Sequence, residues 1–265
     1  MICSTGWIGL AVFVVGLCVG SFLNVCIWRL PAGEQIIRGR SRCRACRKTI
    51  TWRDNIPLVS FLWLRGRCRF CSAPIAWSYP AVELLTGFFF WEVFSVFGFS
   101  QVAGVYLLLG CALIVLSVID WRTMTLPDRI TLPGIGLGLA ASVMVPALHG
   151  AVKPGQGLVW GLAGLAAGGG TLWVIAWIGE KLFRREAMGG GDIKLMAMVG
   201  AVVGPVNALL INFLLAPFFG AIVGLFVKLR FKRDLIPYGP FLALGTAAAL
   251  FWGGPLITWY RNLLF

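Results

Sequence analysis

The 265-residue chain is 59% hydrophobic and only 12% charged, with a net charge of +13. A soluble globular domain carries about 25% charged residues, so this composition excludes one. Apolar runs of about 20 residues recur along the chain, the length that spans about 30 Å of hydrocarbon. The chain therefore reads as an all-α polytopic membrane protein, and the positive charge bears on orientation rather than on nucleic acid.

Eight spans are expected, at roughly 5–28, 80–98, 102–120, 129–148, 157–180, 192–206, 207–228 and 239–260. The sixth is short and glycine-rich, which suggests a tilted or broken helix. Basic residues collect on the cytoplasmic side of membrane proteins. With the N-terminus outside, all but Lys153 and Arg261 of the 23 Lys and Arg fall on the inner side. The first run has no basic residues ahead of it and Arg29 behind it, so it reads as a span rather than a secretory signal.

The first span closes with Gly20, Ser21 and Asn24 on one helical face, suited to close packing and an interhelical hydrogen bond. Packing alone explains these residues equally well. Pro31 stops the helix.

Residues 29–79 form the one sizeable polar segment, too short to fold on a hydrophobic core alone. Its staple is a pair of Cys-x2-Cys knuckles, Cys43 and Cys46 followed by Cys68 and Cys71. The spacing is that of a four-cysteine zinc ribbon. Two disulfides are the competing reading, disfavoured on the reducing side of the membrane. Arginines 42, 44, 47, 67 and 69 surround the thiols, where they offset thiolate charge or meet anionic lipid headgroups. The expected organisation is a first helix over 1–28, this cysteine domain over 29–79 and a transmembrane core over 80–265. The scattered Cys3, Cys18, Cys26 and Cys111 act as small hydrophobes.

Acids at the edge of hydrocarbon are expensive and mark function by default. Glu83 lies about one turn into the second span, where a macrodipole role and a functional one weigh evenly. A partner is expected for it, an arginine of the polar segment being one choice. Glu92 lies deeper, with no motif attached. Asp120 ends the third span. Asp128, after Pro127, fits a helix cap or first-turn acid. Asp192 begins the sixth span inside Met188-Gly189-Gly190-Gly191-Asp192-Ile193-Lys194, where the glycines allow close approach of backbone or substrate. His149, the only histidine, reads as a solvated loop residue, and histidine-based triads are excluded. Pro237-Tyr238-Gly239-Pro240 is a turn at the inner face.

Asp120 and Asp192 fall at similar depth on the inner side. Two carboxylates brought together share a proton: one then activates water while the other donates to a carbonyl, the aspartic-protease arrangement. Paired acids also serve proton transport.

In order along the chain, Gly20 to Pro31, the double Cys-x2-Cys, Tyr79 to Thr86, Asp120 with Leu126-Pro127-Asp128, and Gly189 to Lys194 resemble the type IV prepilin peptidases. That bifunctional bacterial family joins a leader peptidase to an N-methyltransferase. The resemblance covers nearly the whole chain. It implies that Asp120 and Asp192 are the catalytic aspartates of a Gly-x-Gly-Asp protease, with Gly189, Gly191, Lys194, Glu83 and Asp128 as supporting motif positions. It implies prepilin or pseudopilin substrates, whose short basic leader is cut after glycine on the cytoplasmic side of the inner membrane. It also implies methylation of the new N-terminus with S-adenosylmethionine, whose site the sequence does not locate. Many members carry a second acid two residues after the first catalytic Asp; here that position is Arg122. A proton-coupled transporter and a noncatalytic pilus or secretion assembly factor are the alternative readings.

Overall fold

The computed structural model describes residues 2–36, 39, 41–184, 188–231 and 236–264. Arg38, Arg40, Arg185, Lys232 and Arg233, part of the expected inner charge, lie outside the described residues. The described chain is helical with no strand, and six stretches are long and apolar enough to cross a membrane. These are Gly6–Arg29, Ser78–Phe97, Gln101–Thr123, Pro154–Phe183, Gly190–Arg230 and Gly239–Trp259.

Six stretches and eight expected spans are reconciled by two features. The 41-residue stretch from Gly190 would be about 60 Å long as one rod, twice the hydrocarbon thickness. It is broken at Gly204, whose φ of 80° and ψ of 171° leave the helix, with Pro205 next. The expected boundary between the sixth and seventh spans falls here. The other feature is α5, Asp128–Met144, which at 17 residues is just short of a full crossing and is prolonged by a 3-10 turn, Pro146–His149.

The chain forms two compact units, Met1–Val115 and Leu116–Phe265. In the first, α1 (Ile2–Arg29) packs along α3 (Ser78–Phe97) through small residues. A Cβ added at Gly16 would lie 2.8 Å from Gly87 Cα, and one at Gly20 would lie 2.8 Å from Glu83 Cα. The backbones therefore touch, as small residues four apart allow in a membrane. Asn24 Nδ2 donates to Tyr79 O at 3.1 Å, so this face makes an interhelical bond in addition to the packing that alone would have explained it. The described residues of the connecting module include a 3-10 turn, Trp52–Asn55, and a short helix, α2 (Val59–Trp63). The first part of α4 (Gln101–Thr123) completes this unit.

The second unit is organised around α8 (Gly190–Leu210), buried without a break from Leu195 to Gly204. A helix apolar on every face is one surrounded by others. Its neighbours are α5, α6 (Pro154–Leu165), α7 (Thr171–Phe183) and α10 (Gly239–Leu264). A Cβ at Gly164 would run into the Gly200 carbonyl, and one at Gly168 into that of Met196. Gly168 lies in a π-helical turn, Ala166–Gly170, whose freed carbonyl accepts Asn212 Nδ2 at 2.9 Å. Asn212 itself sits in a second such turn, Ile211–Leu215, leading into α9 (Ala216–Phe231). Insertion of one residue into the helical ladder leaves such a carbonyl free.

Candidate active site and cysteine cluster

Three separate stretches of the second unit converge. Asp120 lies in the last turn of α4 and is only 5% exposed. The backbone N–H of Gly239, the first residue of α10, donates to its Oδ2 at 3.0 Å. A Cβ at Gly239 would stand 2.7 Å from that oxygen, so any larger residue would force the Asp120 carboxylate to shift. Asp192 lies in the first turn of α8, half-buried, its N–H bonded to Gly189 O at 3.1 Å. The Asp120 and Asp192 carboxylates are within Coulombic reach of each other, and Tyr238 is within reach of Asp192. Burial, and then the Asp192 carboxylate, push the Tyr238 phenol up, so it is a neutral donor at ordinary pH.

The glycines before Asp192 have separate uses. A Cβ at Gly191 would come within 2.9 Å of Leu126 Cβ, so the bare backbone lets the Leu126-Pro127 stretch lie against α8. A Cβ at Gly189 would lie 3.5 Å from Asp192 Oδ2, an ordinary contact. Of the two roles expected for Asp128, it takes the first-turn acid and not the cap. Pro127 holds the cap position of α5 without a side-chain bond, and Asp128 instead takes Lys194 Nζ at 2.7 and 2.8 Å. The pair ties the start of α5 to the start of α8, two motif positions that sequence alone left unconnected. The Pro237–Pro240 turn was legible only as a turn; nothing local to it announces that Gly239 reaches an acid 119 residues away.

His149 is also not the solvated residue expected. It is half-buried, its Nε2 lies 2.9 Å from Ser142 Oγ, and its ring abuts Gly204 at the break in α8.

In the first unit, Glu83 is buried, and its partner is a backbone amide. Leu58 N–H donates to Oε2 at 2.9 Å, and the Ser21 side chain adds a second bond. Leu58 has φ 60° and ψ −48°, and Val59 N–H closes back on Pro57 O at 2.6 Å. This three-residue turn with a positive central φ is strained for a residue with a Cβ. Glu83 therefore holds the module to α3 at a costly backbone position.

The four module cysteines converge, their Sγ atoms all within 4.8 Å of one another. Cys43 and Cys71 Sγ are 3.8 Å apart. Four thiolates about 2.3 Å from a central zinc would be separated by about that distance, whereas a disulfide requires about 2.05 Å. The knuckles repeat one geometry. Arg47 N–H bonds Cys43 O at 2.8 Å and Ser72 N–H bonds Cys68 O at 2.9 Å, both donors at positive φ. The Cys46 backbone holds the Cys43 thiol down at about 6, where it readily forms a thiolate. Beside the cluster, the Arg69 guanidinium holds the Asp54 carboxyl below the usual carboxylate range.

Together, the membrane-spanning helices, a buried acid within Coulombic reach of a second acid, and a four-thiol module define a polytopic membrane protein with paired carboxylates. Residues 14–97 match the Bacterial Peptidase A24 N-terminal domain and residues 107–225 the Type IV leader peptidase family. Three similar proteins bear the name prepilin leader peptidase/N-methyltransferase. The one from Aeromonas hydrophila is 37% identical over 94% of this chain and 92% of its own length. That from Xanthomonas campestris pv. campestris is 35% identical over 93% and 92%. The one from Myxococcus xanthus is 42% identical over 83% of this chain but only 63% of its own length. The chain belongs to the type IV leader peptidase family. No solved structure matches it.

Proposed function

We propose that Asp120 and Asp192 are the catalytic dyad of this membrane protease, a prepilin leader peptidase with N-methyltransferase activity. The observation that carries the assignment is the meeting of a buried Asp120, fixed by Gly239 N–H, with Asp192 at the start of α8. In the working state one carboxylate is ionised and the other protonated. The ionised acid takes a proton from water as the hydroxide oxygen bonds to the scissile carbonyl carbon. The protonated acid gives its proton to the carbonyl oxygen. Collapse of the tetrahedral intermediate breaks the C–N bond, and the base returns its proton to the leaving amine. Tyr238, kept neutral, is placed to donate to an oxygen in the same site. Asp120 and Asp192 lie on the cytoplasmic side of the inner membrane with the N-terminus outside, a reading supported by the one-sided basic residues. The substrates are prepilins or pseudopilins, cut after glycine.

Cys43, Cys46, Cys68 and Cys71 hold a structural zinc ion, a reading supported by their mutual spacing. Closed by four thiolates, it would staple the module and leave no position for substrate. The methyl donor carries a sulfonium cation, and the two hollows in the cysteine module are lined by arginines. Those guanidiniums would repel the sulfonium cation.

The test is intact-mass analysis of a prepilin incubated with purified protein, with and without S-adenosylmethionine. Wild type removes the leader mass and adds a methyl when the donor is present. Asp120→Asn and Asp192→Asn lower leader removal by at least about a thousandfold. Cleavage that survives both substitutions refutes the dyad.

A further inference from the structure

The cysteine module presents its apolar residues outward. In α2, Leu62 and Trp63 are 74% and 79% exposed, Val59 shares their i, i+3, i+4 face, and Trp77 ahead of α3 is 78% exposed. An outward apolar face needs a phase other than water. The module is tethered by Arg29 at the end of α1 and Ser78 at the start of α3, so a bilayer surface is within reach of both ends. From Arg29 to Trp77 the sequence carries eleven basic residues against Glu34 and Asp54. Even four thiolates around a divalent ion leave it strongly cationic.

Two hollows adjoin on this module. One, of about 690 Å³, is walled by Phe61, Leu62, Ile75 and Trp77. The Phe61 and Trp77 rings pack with centroids 5.0 Å apart, forming a rigid aromatic wall. The other, of about 540 Å³, is lined by polar groups that include Arg69 and Ser72. Arg65 and Arg67 line both. Arg69 is committed to Asp54, whereas the guanidiniums of Arg65 and Arg67 have no hydrogen-bond or ion-pair partner among the described residues. An apolar trough and a basic hollow that share two uncommitted arginines match an amphiphile with an apolar tail and an anionic head.

We propose that the cysteine module binds an anionic phospholipid of the surrounding bilayer. Its phosphate is taken by Arg65 and Arg67, and its acyl chain lies in the trough between Leu62 and Trp77. Tryptophans at the headgroup level and basic side chains toward anionic lipid are the usual interfacial pairing. The site is separate from the carboxylate pair, so it stands or falls independently of the peptidase assignment.

The test is native mass spectrometry of the full-length protein in neutral detergent, given equal phosphatidylglycerol and phosphatidylcholine with identical acyl chains. Wild type retains phosphatidylglycerol roughly tenfold over phosphatidylcholine. Arg65→Gln with Arg67→Gln removes the preference, and the paired lysine replacements keep it. Should the glutamine pair fail to fold, Leu62→Glu at an exposed position abolishes retention by repelling the headgroup and wetting the trough. Equal retention of the two lipids by wild type overturns the proposal, as does a preference that survives Leu62→Glu. Displacement of the lipid by millimolar inorganic phosphate would show a bare anion site. Displacement by an apolar peptide bearing one acid, at concentrations where phosphatidylglycerol binds, would show a peptide groove. Either result refutes a lipid site.

Discussion

Gly239 and His149 show how much a single position carries when the helix around it is anonymous. Gly239 is one of 34 glycines, yet its N–H bonds the buried Asp120 carboxylate and its missing Cβ leaves that oxygen room. His149 lies beside the backbone break at Gly204, and burial holds its imidazole below the usual histidine value. Such a group binds protons more readily in the unfolded chain. Its contribution to stability is complete above about pH 6.5 and is lost as pH falls through that value toward the lower folded one. The unfolding temperature of wild type in detergent is expected to drop between pH 7 and pH 5 by more than that of His149→Ala. The alanine variant is less stable at pH 7 by about 1 kcal/mol, the value of the lost bond to Ser142. Parallel pH curves for the two proteins would refute this role.

At the scale of elements, the α6–α8 crossing controls where Asp192 sits. Gly164 and Gly200 meet backbone to backbone, and the contact continues at Gly168 and Met196. These are carbonyls of a buried helix, not ends of flexible side chains, so they do not yield to an added group. Gly164→Leu is expected to destabilise the protein by about 1–3 kcal/mol. Because α8 carries Asp192 at its start, leader removal also falls, while the zinc we propose for the four-thiol cluster of the other unit is retained. Thermal unfolding, cleavage rate and metal content, measured on one preparation, check the three parts. Loss of metal with cleavage intact would sink this account. The same crossing sets Gly168 and Gly169 of the glycine-rich stretch against α8, and Asn212 takes the Gly168 carbonyl.

For the molecule as a whole, the break at Gly204 is what makes topology and chemistry agree. Read as one helix, Gly190–Arg230 would place Asp192 and Lys228 at ends about 55 Å apart. Read as two passes joined at Gly204, both ends return to one side, as the one-sided basic residues lead us to propose. Single-cysteine labelling in a cysteine-free background checks this: probes at Val152 and Asn262 are expected to react from outside, and probes at Thr125 and Lys228 only after permeabilisation. Labelling of position 228 from outside would remove the second pass.

Much was legible because the bilayer makes sequence blunt. Apolar length fixed the spans, one-sided arginines fixed the orientation we propose, and two Cys-x2-Cys pairs fixed a four-thiol module, since hydrocarbon and metal geometry tolerate few alternatives. The acids were visible for the same reason: at Asp120 and Asp192 an unexplained carboxylate costs too much to be incidental. What the sequence could not decide was partnership. Whether Asp128 caps α5 or pairs with Lys194, whether Glu83 takes an arginine or the Leu58 amide, and which glycine faces Asp120 all depend on contacts between distant segments. Backbone N–H groups and missing Cβ atoms are the same at every glycine, so only the packing of α4, α8 and α10 selects the ones that matter.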